Sequence, residues 1–224
     1  MNTIYDKALM TLLVDTLDPS IKVFYSVQES GLDVISRKEH NGEIKLPSVV
    51  FNRSGLIMYM NEMTQFQYQY EGGNYLGSNL FIEDDLYLDT MTYYSDIEYE
   101  IMVFTNTLAD SYELMEELII KLKLYPSLKL QYSIDVPYET NDGIEKRYKD
   151  TVKWESSVEL QGGGSGVNIE NKSELVNNFG DTGGLYVLSI TCRINHAPLI
   201  RFRINNKIKE ILTSSGVSGE ENHG

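Results

Sequence analysis

The sequence predicts an α+β fold, a mixed β-sheet packed with an N-terminal helix and a central helix. Three observations predict it. Apolar residues recur at helical spacing near the start, a two-residue alternation near residue 100 runs directly into a second helical stripe, and β-rich runs fill much of the remainder. With 224 residues and 42% hydrophobic composition, the chain can bury a sizeable core, and one domain over residues 1–212 is expected, followed by a polar tail at 213–224.

In the first segment Ile4, Ala8 and Leu12 fall four residues apart with Leu13 beside them, Leu9 and Leu17 widen the stripe, and Asp18-Pro19 stops the helix. "IKVFYSV" is β-rich. "LPSVVFNRSGLIMYM" holds two apolar runs divided by "NRSG", a turn signal, with Pro47 suited to a strand start. Residues 65–92 crowd tyrosines, aspartates and turn-marking glycines into a β-rich excursion of short strands. Ile97, Tyr99, Ile101 and Val103 then alternate with Glu98, Glu100, Met102 and Phe104, a strand apolar on both faces only toward its end.

The next helix is expected to be capped by Asp110, with Glu113 completing a capping-box-like pair. Leu114, Leu118 and Leu122 form its buried stripe, Met115 and Ile119 broaden it, and Pro126 ends it. A strand in "LKLQYSIDVPY" follows, so a right-handed strand-helix-strand crossover within one sheet is expected. "KRYKDTVKWESSVEL" reads as a strand after the "NDG" turn. Residues 161–184 contain seven glycines and read as a long Gly-rich loop, with at most a helical turn around "SELV". "LYVLSITCRI" and "APLIRFRINNKIKEIL" return to β-rich sequence, the second alternating Arg201 and Arg203 with Phe202 and Ile204.

Composition narrows the function. No apolar run approaches the roughly 20 residues of a membrane-spanning helix, and the first residues carry acids without a basic leader region, so neither a span nor a signal peptide is expected. Cys192 stands alone, which rules out an intrachain disulfide or a cysteine-based zinc site. A net charge of −14 disfavours simple DNA binding. The charge is uneven, however: Arg193, Arg201, Arg203, Lys207 and Lys209 lie together with only Glu210 opposing them. This basic island is either an intramolecular salt-bridge face or a set of inter-subunit contacts on an acidic partner surface.

Little in the sequence points to a reaction centre. "GGGSG" lacks the Lys-Ser/Thr of a phosphate loop, and His40, His196 and His223 have no partner at metal-binding spacing. His196 in "RINHAPL" reads as a surface or turn residue, and Cys192, inside an apolar run, as an inert buried thiol. Glu83, Asp84, Asp85 and Asp89 are the best metal candidate, weighed against an ordinary solvated acidic face; they lack the ligand alternation and glycine of an EF-hand loop. The sixteen tyrosines suit interfaces better than base stacking in so acidic a chain. No catalytic, cofactor-binding or metal residue is assigned, and no cofactor is expected.

The helix at the start, "LPSVVFN", the unit "YEIMVFTNTLADSYELMEELIIKLKLYPSL" and the late "YVLSITCRINHAPLIRF" together resemble the tail terminator (tail completion) proteins of long-tailed bacteriophages, in the order of elements over residues 1–60 and 92–210. The resemblance implies a mixed sheet with helices on it and a hexameric ring that caps the tail tube and joins it to the head-side neck. It implies no enzyme activity, and partners among copies of the chain, tail tube and sheath proteins, and neck or connector proteins, in a virion assembled in the host cytoplasm without a membrane. DNA would pass the acidic lumen without sequence-specific binding. The excursion and the Gly-rich loop depart from that pattern and suit a neck, connector or baseplate protein equally. A monomeric binding module and an acidic-cluster metal enzyme are the readings from other classes.

Overall fold

The computed structural model describes residues 2–26, 46–59, 68–70, 75–76, 79–83, 86–140, 142–162, 166–174 and 185–206. The fold is α+β, as expected. Its elements in chain order are α1 (Asn2–Thr16), β1 (Lys22–Ser26), β2 (Ser48–Tyr59), β3 (Tyr68–Tyr70), β4 (Tyr75–Leu76), β5 (Asn79–Glu83) and β6 (Leu86–Thr105). Then come α2 (Leu108–Leu124), β7 (Ser127–Glu139), β8 (Glu145–Ser157), β9 (Glu159–Leu160), β10 (Ile169–Asn171) and β11 (Tyr186–Asn206).

Among the described residues the strands make two sheets. The larger has the order β1-β2-β6-β11-β10, with β5 also beside β6 and β9 beside β11; the smaller has the order β4-β3-β8-β7. Only β1 and β2 pair in parallel, which makes the larger sheet mixed.

One face of the larger sheet is buried. Ile97, Tyr99, Ile101 and Val103 of β6 join Val49 and Phe51 of β2 and Leu188, Ile190, Cys192 and Ile194 of β11. Both helices and the smaller sheet, through Leu128, Leu130, Ile134 and Trp154, cover them. Each large side chain fully removed from water there contributes about 1.5–3 kcal/mol. At the far end of β6, Met102 and Phe104 bury on the opposite face with Val50, Leu185 and Val187, matching the two-faced pattern read from the sequence.

Several local expectations change. In α1 the most deeply buried line is Tyr5, Leu9, Leu13 and Leu17, so Ile4, Ala8 and Leu12 flank the stripe instead of centring it. "NRSG" is no turn: β2 is one strand of 12 residues, and the extra residue is taken up by a bulge between Arg53 and Gly55 against β6. A bulge uses the same small polar residues as a turn but keeps the strand paired on either side. Likewise β11 is a single strand of 21 residues, bulged between Ile194 and Ala197.

Thr107, not Asp110, caps α2: its backbone is extended at φ −133°, and its Oγ1 accepts the Asp110 N–H at 3.1 Å. The cap belongs to the last extended residue before the first helical turn, and Asp110 already lies inside that turn. The buried stripe of α2 is as expected, Leu114, Met115, Leu118 and Leu122, with Ile119 partly buried.

The expected crossover within one sheet is overturned. α2 leaves β6 in the larger sheet and enters β7 in the smaller one. Both edges of β6 are occupied, by β2 on one side and β11 on the other, so the next strand cannot pair beside it. β7 instead turns through Gly143, whose φ of +76° suits glycine, and pairs antiparallel with β8.

The excursion holds β3, β4, β5 and the start of β6, with β3 beside β8 in the smaller sheet. The Gly-rich loop is not wholly loop, because β10 lies within it and pairs with β11. Residues 163–165 and 175–184, and the tail at 213–224, lie outside the described residues.

Candidate functional site

α1 places Tyr5 and Asp6 side by side on its buried face, and each binds a different part of the larger sheet. Asp6 is 5% exposed, and its Oδ1 accepts Arg53 Nη2 at 2.6 Å and the Tyr99 hydroxyl at 2.8 Å. Tyr25 also hydrogen-bonds Asp6, and the Arg53 guanidinium carbon lies 5.9 Å from the centre of the Tyr99 ring. Tyr5 donates to the Pro198 carbonyl at 2.8 Å and accepts Trp154 Nε1–H at 3.3 Å, tying α1 to both sheets.

Burial sets the protonation of these phenols. Desolvation pushes Tyr5 up to about 12; hydrogen bonds from Trp154 and Ser156 oppose it. Desolvation, then the hydrogen bond and charge of Asp6, push Tyr25 up to about 12. The same causes push Tyr99 well above the ordinary tyrosine range. All three therefore stay protonated and donate at neutral pH. A carboxylate, a guanidinium and phenols could in principle move protons, but neither cleft described below reaches Asp6 or Tyr99. The arrangement is a strut holding α1 on the sheet.

It stands where the larger sheet changes phase. Arg53, at the β2 bulge, pairs with Tyr99, and the β11 bulge lies opposite residues 95–97 of the same central strand. His196, exposed at that bulge with φ +47°, gives its N–H to buried Asp96 at 2.9 Å. Of the expected surface or turn position, the surface holds: His196 lies within β11, at its bulge.

Around Glu98 and Glu100 the outer face of the sheet is polar. Arg193 pairs with Glu98, its cross-strand neighbour, and Lys172 pairs with Glu100. A cleft of about 530 Å³ opens beside them, lined by Glu98, Gln161, Asn168, Glu170, Ser189 and Thr191. A second, of about 760 Å³, runs between α1 and the end of α2, with Leu12, Lys121, Leu124 and Tyr125 on its walls.

The basic island is only partly brought together. Arg193 engages Glu98 within the chain. The backbone register sets Arg201 opposite Met91 and Arg203 opposite Asp89 on β6, while Lys207 and Lys209 lie outside the described residues. Of the acidic group, Glu83 is in β5 and Asp89 in β6; Asp84 and Asp85 lie outside the described residues, as do His40 and His223. Cys192 is fully buried and desolvation pushes its thiol up to about 12, as an inert thiol requires.

Sequence reading missed Asp6, Arg53 and the hydroxyl of Tyr99 as a unit. Its signals were an acid beside the most buried line of a helix and a tyrosine at an inward strand position, where the hydroxyl must find a partner. No protein-family model matches the chain, and comparison with curated proteins finds none that matches it.

Proposed function

We propose that this chain is a virion structural protein, a tail terminator that forms a ring capping the tail tube and joins it to the head-side neck, without catalysis. The observation that carries the reading is the mixed sheet packed with α1 and α2, in the order the resemblance implies. It is supported by where the chain's ionic groups go: Asp6, Arg53, Glu98 and Arg193 are engaged in holding sheet and helix together. A rigid sheet with helices fixed on one face leaves loops and edges to meet other subunits. Ring closure follows from a heterologous interface repeated by rotation.

Arg201 and Arg203 are the proposed inter-subunit cations, and Arg193 serves the sheet that presents them. Mass photometry over a concentration series, followed by negative-stain imaging, tests the reading. Closed hexameric rings support it. A monomer at every concentration that also fails to join purified tails refutes it. Rings that persist in Arg201→Glu with Arg203→Glu would reject the charge pairing alone.

A further inference from the structure

The cleft of about 530 Å³ beside Glu98 falls within the range of small-molecule sites, about 300–1,000 Å³, but its walls are mostly polar. β11 supplies Ser189 and Thr191, two residues apart and so on one face, and the chain between β9 and β10 supplies Gln161 and Asn168. None of these four side chains has a hydrogen-bond partner among the described residues. Ser189 is only 2% exposed, and a hydroxyl so deeply buried is normally bonded. The backbone around the cleft is held in place. Gln161 N–H donates to the Thr191 carbonyl at 2.8 Å, and Asn168 N–H donates to the Gln161 carbonyl at 3.2 Å. Gly162 passes so near Gly166 that a Cβ on it would lie 1.9 Å from the Gly166 carbonyl oxygen, an approach that only glycine allows.

We infer that this cleft binds a neutral saccharide, one sugar unit seated on Ser189 and Thr191 with Gln161 and Asn168 at its rim. Sugar hydroxyls both donate and accept, as do the hydroxyls and side-chain amides that line the cleft. An ammonium ligand only donates, and would leave the amide N–H groups of Gln161 and Asn168 unmatched. An anion meets no cation among the lining residues, which include Glu98 and Glu170. Glu98 is already paired with Arg193, and Glu170 lies 3.9 Å from Lys172, so each carboxylate has a cation within the chain. Val167 gives an apolar wall for the C–H side of a sugar ring. The site uses neither Arg201 nor Arg203 and does not depend on ring formation.

The test is saturation-transfer difference NMR on the full chain, with glucose, galactose and N-acetylglucosamine as probes and with spermidine and glycerol 2-phosphate as the cationic and anionic alternatives. The expected result is transfer to at least one of the three sugars and to neither alternative. That transfer should fall several-fold in Thr191→Val, which keeps the shape of the side chain without its hydroxyl, and in Gln161→Ala at the rim. Circular dichroism spectra of both variants should match the parent, so that the loss is read from a folded chain. Transfer to spermidine or glycerol 2-phosphate in place of the sugars, no transfer at all, or equal transfer in the parent and both variants overturns the inference, whether or not rings form.

Discussion

Replacing Asp6 by alanine removes the one acceptor that Arg53 and Tyr99 share. The Asp6 side chain is 7% exposed and that of Arg53 20%, so water cannot replace the carboxylate freely. Removing one partner of a buried pair costs about 3–5 kcal/mol. For a chain of this size each kcal/mol lowers Tm by roughly 2–4 °C, so Asp6→Ala should melt roughly 6–20 °C below the parent. Thermal unfolding followed by circular dichroism measures this directly. Asp6→Asn keeps an acceptor but loses the charge, and should fall between the two. A double-mutant cycle with Tyr99→Phe should show coupling of at least about 0.5 kcal/mol, because both groups share one oxygen. A loss under about 1 kcal/mol in Asp6→Ala would refute the strut, since it would mean the pair's desolvation cancels what it contributes.

Two further outcomes follow from the same physics. Tyr5 has a folded pKa near 12, above its ordinary 10, so the folded state holds the proton longer; its stabilisation is complete below pH 10 and is lost as pH rises through 12. Urea titrations should lose on the order of 2–3 kcal/mol over that window from Tyr5, and Tyr5→Phe should flatten the slope. Thr107→Ala should cost about 1 kcal/mol, and Asp110→Ala clearly less; the reverse order would return the cap to Asp110.

The helices were legible because their stripes are long. Leu114, Leu118 and Leu122 repeat often enough that a one-residue error in the cap does not change the buried face. The alternation from Ile97 to Phe104 was legible for the same reason, down to the small second cluster around Met102 and Phe104. Bulges were not legible, because a bulge and a turn draw on the same residues and differ only in whether pairing resumes beyond them. Sheet membership of β7 was not legible either, since it depends on β11, far along the chain, already occupying the second edge of β6. The strut joins residues 6, 53 and 99, and nothing local at Arg53 announces a partner in α1.

The β2 bulge carries a consequence for chain length. Before it, odd-numbered residues such as Val49, Phe51 and Arg53 face the core; after it, Leu56 and Met58 lie on that side. A chain one residue shorter at Ser54 could pair without a break, with Gly55 following Arg53 opposite Glu98, and Leu56 and Met58 would stay on the core side and Ile57 on the other. The bulge thus absorbs a change of one residue in length, where an unbroken strand would turn every following side chain to the opposite side. Chain length at Ser54 can therefore vary by that one residue while the outer half of the strand keeps what each of its surfaces presents.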